Sequence, residues 1–251
     1  MANSVSSSRI AASLLSKNNY TVYRRQNNKP VSVRLIPLNE VKEESLTAWK
    51  NYSSLHDKQG QIKTLAESPL CLLNGLVSET TVAEQLKEKP LFFRLGLMEG
   101  DILHAYMFLS INLPKQVATL EDLYVAPWNF AGRDNHAEEL RKISWHNSGS
   151  YQQLAVKGCG WNLMAFACAN VKLAATVDPA ILPFSFRITN KTDAKSFYEK
   201  IIGAQVNGDI GRLGEKEIDQ FLQKASLAAS FGRPGWKMSK TPKVIRRTNN
   251  S

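Results

Sequence analysis

The spacing of apolar residues predicts one strand and two helices in the first third of the chain. Residues 31–38 (VSVRLIPL) alternate apolar with polar side chains and are rich in β-branched residues, which is typical of a strand. Residues 39–65 carry apolar side chains at helical intervals and predict an amphipathic helix. A second helix begins at Thr81, with Glu84 three residues later as in a capping box, and ends at Pro90.

The middle of the chain predicts a β-hairpin followed by another strand. Two apolar runs within residues 91–112 flank Glu99-Gly100-Asp101, and Gly100 supplies the backbone freedom that a tight turn needs. Residues 117–127 (VATLEDLYVAP) predict a strand that Pro127 ends.

The C-terminal half alternates helices with short strands. The pattern predicts a helix from about Trp161 to Ala175, a strand at 183–189, a helix at 193–202 capped by Asn190 or Thr192, a hairpin at 204–214 and a helix at 215–226. With the earlier elements, this order predicts a mixed α/β (α+β) domain and not a tandem of equal βαβ units.

The net charge of +10 is concentrated at the two ends of the chain. Residues 1–34 carry six basic and no acidic residues, residues 233–251 carry the same numbers, and the rest is close to neutral. We therefore expect a basic, flexible leader (1–30), a single domain (31–230) and a basic tail (231–251). A basic tail either keeps the protein soluble or contacts RNA or an acidic membrane.

Cysteine content and the first 20 residues bear on the compartment. Three cysteines without paired spacing argue against a disulfide scaffold, and no segment approaches the roughly 20 apolar residues of a membrane span. The first 20 residues are Ser-rich and free of acidic residues, as in organelle transit peptides, but contain little Arg. We expect a cytoplasmic protein, with an organelle as the alternative. The histidines and cysteines lack zinc-ligand spacing, so no metal is expected.

Two glycines one residue apart, in VKGCGW (156–161), directly precede the apolar helix. A Rossmann fingerprint is excluded because Leu163 stands where its third glycine is required. A Walker loop is excluded because Gly-Lys-Ser/Thr is absent. Two interpretations remain. The amides of the helix N-terminus bind a pyrophosphate, with Lys157 adding charge, or the glycines only give a turn its backbone freedom.

Four short motifs occur in an informative order over about residues 31–225. They are TLEDLYVAP, the glycine loop with its helix, FSFRIT, and DAKSFYEK followed by Gly203. Their order and spacing resemble the GNAT superfamily of acyl-CoA-dependent N-acetyltransferases, and LEDLYV (120–125) and FY…GA (197–204) are most similar to its diamine acetyltransferase branch. The resemblance implies a mostly antiparallel mixed sheet flanked by helices, with acetyl-CoA as co-substrate.

The resemblance also implies roles for individual residues. Glu121 acts as the base on the amine, and Asp122 orients the amine or is structural, because adjacent strand residues face opposite ways and only one can point at the acceptor. Tyr198 stabilises the leaving thiolate by a hydrogen bond or donates a proton to it. The implied cofactor contacts come from the strand backbone, the glycine loop and one asparagine: Leu123, Tyr124, Val125, Val156, Lys157, Gly158, Cys159, Gly160, Trp161 and Asn190.

The chain departs from the family pattern in four places. Ala155 occupies the position of an Arg or Gln that helps hold the pyrophosphate. Lys191 stands where the family has Asn, with Asn190 one place early, and one extra residue precedes Gly203. An insertion at about 128–153 separates the strand from the glycine loop, as an acceptor lid or a passive surface excursion. An alternative loop at 130–136 (FAGRDNH) offers only one glycine.

From this resemblance we expect an acetyl-CoA-dependent N-acetyltransferase that works by direct attack in a ternary complex. The acceptor is the primary amine of a small polyamine or diamine, or of a lysine side chain, and a homodimer is compatible with this interpretation. The alternative is a catalytically weak or inactive GNAT scaffold that senses acyl-CoA or binds a protein, which Ala155 and the displaced Asn190 favour. An RNA-associated protein that uses the basic tails is the third interpretation.

Overall fold

The computed structural model describes residues 6–17, 19–42, 44–45, 90–126, 129, 144–145, 149–150, 154–188 and 195–230. The strands within these residues are β1 (Asn19–Arg24), β2 (Pro30–Pro37), β3 (Leu91–Glu99), β4 (Ile102–Asn112), β5 (Val117–Val125), β6 (Ser144–Trp145), β7 (Gly149–Ser150), β8 (Val156–Lys157), β9 (Phe184–Arg187), β10 (Gln205–Asn207) and β11 (Ile210–Leu213). The helices are α1 (Ser7–Leu15), α2 (Cys159–Val177), α3 (Glu215–Ser230), a π-helix (Phe197–Ile202) and two short 3₁₀-helices (Leu38–Glu40 and Pro179–Ile181).

Nine of these strands form one sheet in the order β10-β11-β9-β5-β4-β3-β2-β1-β8, and β6 and β7 pair separately. The neighbours in the nine-stranded sheet are antiparallel except β5 and β9, which are parallel. A parallel pair needs a crossover connection, and α2 supplies it here. The expected mixed α/β class, with a mostly antiparallel sheet flanked by helices, is confirmed.

The core lies between the sheet and three helices that contact one another, α1, α2 and α3. The central helix α2 is buried almost all round, because one side contacts β1, β4 and β5 and the other contacts α1 and α3. Its many alanines let these neighbours approach closely. Within the described ranges, no helix combines the length and the hydropathy that a membrane span requires.

Most elements predicted from the pattern are confirmed. The hairpin of β3 and β4 turns at Gly100, which has a φ of 55° and so needs the freedom of glycine. The predicted strands at 31–38, 117–127 and 183–189 correspond to β2, β5 and β9. The hairpin of β10 and β11 and helices α2 and α3 also form where expected, with α2 extending two residues further at each end. The helices predicted at 39–65 and 81–90, the insertion and the caps at Asn190 and Thr192 lie largely outside the described residues.

The N-terminal segment differs from the flexible leader that its composition predicted. Ser6 caps α1 by accepting a hydrogen bond from the Arg9 amide, and α1 packs on α2. Ala11 and Val22 are fully buried. β1 pairs with β2 on one side and β8 on the other. The Ser-rich composition concealed this because the apolar run that packs α1 on the core is short and interrupted by serine.

Candidate functional site

β5 and β9 run parallel for only two residue pairs before they diverge. The register joins Thr119 to Ser185 and Leu120 to Phe186, whereas β5 continues to Val125. The pairing of β5 with β9 thus ends at Leu120, five residues before β5 itself ends. Where neighbouring strands diverge in this way, the backbone of the longer strand can bind an extended ligand as an added strand.

The N-terminus of α2 lies against this same stretch of β5. A β-carbon placed on Gly160 would lie 3.6 Å from Cζ of Phe197 and 3.9 Å from Cδ2 of Leu123. Gly158, the N-cap, has a φ of 101°, a conformation that favours glycine strongly. The first-turn amides of α2 have no partner within the helix, since the first helical bond runs from the Asn162 amide to the Gly158 carbonyl. The helix N-terminus, the β5 backbone and the π-helix therefore converge.

A β-bulge in β5 places two carboxylates on the same face of the sheet. Phe108 pairs with Asp122 and Leu109 with Leu120, so Glu121 is the extra residue. Ser110 Oγ donates to Glu121 Oε1 (2.9 Å) and Tyr106 Oη donates to Asp122 Oδ2 (2.7 Å). Those donors lie four residues apart on a regular stretch of β4 and share a face. The premise that Glu121 and Asp122 point to opposite faces is therefore wrong, because it assumed an unbroken strand.

The two carboxylates differ in their surroundings. Glu121 is exposed, whereas Asp122 is 7% exposed. Burial, followed by the negative charge of Asp122, raises the pKa of Tyr106, so the phenol stays a hydrogen-bond donor to the carboxylate. Tyr106 also stacks on Tyr124, with ring centroids 6.1 Å apart. Asp122 is thus held inside a tyrosine cluster, and Glu121 is open to solvent.

Tyr198 lies on the π-helix beside the divergence of β5 and β9. Its ring packs on Phe186, with centroids 4.6 Å apart, and against Phe197. Burial, followed by the charge of Asp122, raises the pKa of Tyr198 to about 12. The phenol therefore remains protonated at any physiological pH. It can donate a hydrogen bond to a developing anion but is a poor proton source or base.

The glycine loop is held by the β1–β2 hairpin and by Asn129. The Ala155 carbonyl accepts from the Arg25 amide (2.9 Å), and Lys157 Nζ donates to Asn28 Oδ1 (3.1 Å). The Val156 amide donates to Asn129 Oδ1 (2.8 Å). The Val156 amide is thus already engaged and the Lys157 side chain points to the hairpin. The amides from Gly158 onward remain as the donors for a phosphate.

Cys159 and Trp161 face the core. Burial raises the pKa of the Cys159 thiol to about 12, which agrees with a small loop residue and not with a nucleophile. The Trp161 ring packs edge-on against Phe221 of α3, with centroids 4.7 Å apart. Any contact of these two residues with a cofactor would therefore be made by their backbone.

The structure brings together Glu121, Asp122, Leu123, Gly160 and Tyr198, whereas Asn190 lies outside the described residues. Sequence patterns alone did not point to a role for Tyr106, Asn129 or the side chain of Phe197. The sequence did contain a signal for Tyr106. It stands two and four residues before Phe108 and Ser110 on a predicted strand, so the three side chains share one face. No sequence pattern marks Asn129. Within the described chain, no three His, Cys, Asp or Glu side chains are grouped as a metal site.

Comparison with known proteins yields one similar solved structure. No protein-family model matches the chain, and no curated protein matches it. A PaiA N-acetyltransferase from Thermoplasma acidophilum in complex with coenzyme A is similar to this chain with 19% identity and a TM-score of 0.33. The match covers 72% of this chain and 97% of that one. Because this TM-score is low, the function of the chain has to be inferred from the geometry of its site.

Proposed function

We propose that this protein transfers an acetyl group from acetyl-CoA to a primary amine by direct attack in a ternary complex, without a metal. The observation that carries the proposal is the divergence of β5 and β9 directly beside the N-terminus of α2. The pantetheine arm would add to the β5 backbone from Leu123 to Val125, as the GNAT resemblance implies. The pyrophosphate would then meet the amides of α2 from Gly158 onward.

The acceptor half of the reaction is supported by Glu121. An alkylamine with a pKa of about 10.4 is neutral to only about four parts in ten thousand at pH 7. A nearby carboxylate both attracts the ammonium group and accepts its proton, directly or through water. Glu121 is exposed and lies on the same face as Asp122. The acceptor is a small diamine or polyamine, or a lysine side chain.

Tyr198 supports departure of the thiolate through a hydrogen bond. A phenol with a pKa of about 12 facing a thiol with a pKa of about 8.5 would lose about 5 kcal/mol in a full proton transfer. A hydrogen bond to the developing thiolate avoids that penalty and lowers the barrier. The proton lost by the amine therefore passes to Glu121 and solvent and does not come back through Tyr198.

The second candidate is an inactive scaffold that binds acyl-CoA or a protein. Ala155 offers no side chain to the pyrophosphate, and the Val156 amide is already engaged by Asn129. Fewer phosphate contacts weaken the cofactor site. This candidate predicts acyl-CoA binding, or no binding, together with no acetylated product from any amine.

A calorimetric titration of acetyl-CoA into the purified protein tests the cofactor-binding half of the proposal. Gly160→Trp is expected to weaken binding at least tenfold, because its side chain fills the space beside Leu123 and Phe197. Gly160→Ala, whose β-carbon makes ordinary contacts there, should bind like wild type. Thr176→Trp, at an exposed position near the other end of α2, is the control for a bulky helix residue. Absence of binding by wild type contradicts the proposal.

Glu121→Gln is expected to lower kcat/KM about 10- to 100-fold at pH 7 with a short diamine as acceptor. The deficit should shrink towards pH 10, because the amine then loses its proton to solvent without help. Steady-state rates between pH 6.5 and 10.5 measure this, with the exposed Glu40→Gln as the control. A deficit that stays constant across this range would exclude Glu121 as the base.

A further inference from the structure

A single buried side chain, that of Asn129, connects His104 of β4, beside the end of β5, to the segment that begins α2. Asn129 is 2% exposed. Its Nδ2 donates to the His104 carbonyl (3.0 Å) and lies 3.5 Å from His104 Nδ1 and 3.8 Å from Cys159 Sγ. Its Oδ1 accepts from the Val156 amide (2.8 Å). The donor and acceptor ends of one amide thus hold two parts of the candidate site together.

A chain of buried and partly buried polar groups fixes the orientation of that amide. His104 is fully buried, and its Nε2 lies 2.9 Å from Glu99 Oε2. Arg24 forms an ion pair with Glu99 and donates through Nη1 to the Leu154 carbonyl (3.0 Å). With Nε2–H donating to Glu99, His104 Nδ1 is an acceptor and must meet the NH₂ end of Asn129. Oδ1 is then left for Val156.

Both ends of this chain of polar groups bind the segment that directly precedes α2. Arg24 binds the carbonyl of Leu154, and Asn129 binds the amide of Val156, two residues further on. The Ala126 amide also donates to the His104 carbonyl (2.8 Å), directly after β5 ends. The distance between the β5 edge and the N-terminus of α2 is therefore set by this network.

We propose that Asn129 is a positioning residue that sets the glycine loop at the correct distance from the β5 edge for acetyl-CoA. This inference rests on the proposed function, because the two parts that Asn129 joins are those assigned to the pyrophosphate and to the pantetheine arm. Asn129 acts through Val156 and Cys159 and does not touch the cofactor. Its loss should therefore raise the KM for acetyl-CoA while changing kcat at saturation less than twofold.

The neighbouring charges predict a distinctive behaviour for Asn129→Asp. Among the described residues, the charged or titratable groups around this position are Glu99 of β3, Arg24 of β1, Arg25 in the following turn, His104 of β4 and Cys159 of α2. In wild type, burial lowers the pKa of His104, and the hydrogen bond to Glu99 offsets this only in part. The imidazole is therefore neutral near pH 7. An aspartate would put an acceptor against both Nδ1 and the His104 carbonyl, and uptake of one proton by the His104–Asp pair restores the missing donor.

The experiment compares Asn129→Ala and Asn129→Asp with Asn170→Ala. Asn170 is a matched control, since it is also buried but, within the described part of the chain, its side-chain amide donates to a carbonyl of its own helix α2, that of Phe166. Calorimetry gives the Kd for acetyl-CoA at pH 6.0 and 8.5, taken as the ratio to wild type so that titration of the ligand's own phosphates cancels. Amide hydrogen exchange of the peptide that spans residues 154–162 reports loop order without any ligand.

Asn129→Ala is expected to raise the Kd about tenfold and to speed exchange in residues 154–162, with Asn170→Ala near wild type in both. Asn129→Asp should bind about tenfold worse than wild type at pH 8.5 and recover at least fivefold at pH 6.0. If Asn129→Ala fails to fold, the isosteric Asn129→Asp decides. Unchanged Kd and unchanged exchange in a folded variant would overturn the proposal, and so would the absence of recovery at pH 6.0.

Failure of the proposed function gives a different result. Wild type would then not bind acetyl-CoA at either pH, whatever residue stands at position 129. The exchange comparison between Asn129→Ala and Asn170→Ala still decides whether Asn129 orders the loop.

Discussion

Replacing Tyr198 by phenylalanine (Tyr198→Phe) is expected to lower kcat for acetyl transfer about 100-fold and to leave the KM values for acetyl-CoA and amine within twofold. The hydroxyl is assigned to the leaving thiolate, which exists only late in the reaction, so its loss affects the transition state and not substrate binding. The packing of the ring on Phe186 is retained by phenylalanine. Initial rates at saturating concentrations of both substrates measure the effect.

The control for Tyr198→Phe is Tyr20→Phe, which removes another buried hydroxyl, one that lies between β1 and α1. Tyr20 Oη bonds only weakly, at 3.5 Å, to the Leu14 carbonyl. An equal loss of rate in both variants would mean that Tyr198 acts only through stability. The pH profile adds a second check. Because the pKa of Tyr198 is about 12, wild-type kcat should show no decline from its ionisation up to pH 10.

Deleting residues 1–24 is expected to abolish cooperative folding. The deletion removes α1, β1 and five buried side chains: Ala11, Leu14, Tyr20, Val22 and Tyr23. Burial of each large apolar side chain contributes about 1.5–3 kcal/mol, and the whole of a domain's stability is about 5–15 kcal/mol. The glycine loop would also lose its β1 partner at Tyr23 and Arg24. Circular dichroism during heating should show no unfolding transition.

A pair of point variants separates this effect from the length of the deletion. Val22→Asp buries a charge in the middle of β1 and should lower the melting temperature by well over 10 °C, whereas Thr21→Asp on the exposed side of the same strand should change it little. A deletion variant that melts like wild type would show that α1 and β1 are dispensable. It would also make removal of the first 20 residues as a transit peptide compatible with a folded protein.

The elements that were predicted correctly are those whose sequence pattern involves only residues close together along the chain. Two apolar runs around Gly100 predicted the β3–β4 hairpin, and a long apolar run after Gly158 predicted α2. In the structure both glycines have a positive φ. Both signals are local, so tertiary contacts did not need to be known. The mixed α/β class follows from the order of such elements alone.

Features that depend on irregular backbone were not predicted. The bulge at Glu121 depends on pairing with β4, and a sequence read strand by strand assumes strict alternation. The π-helix at 197–202 was not predicted either, since the apolar spacing indicated only a helix at 193–202 and not its wider turn. Its wider turn takes up one residue more before Gly203 than an α-helical turn would. Asn129 follows a strand end without a pattern, and its role exists only because His104, Val156 and Cys159 meet there in the fold.

Because of the bulge in β5, the two carboxylates differ in how much stability is lost when they are substituted. Glu121 is the additional residue of the bulge, is exposed, and stands opposite no residue of β4. Its replacement, or even its deletion, leaves the register of Leu120 and Asp122 with β4 as it is. Asp122 is tied to Tyr106 inside the cluster and cannot vary alone. Substitutions at position 121 should therefore cost almost no stability, whatever they do to activity, whereas a change of Asp122 also disturbs the tyrosine cluster.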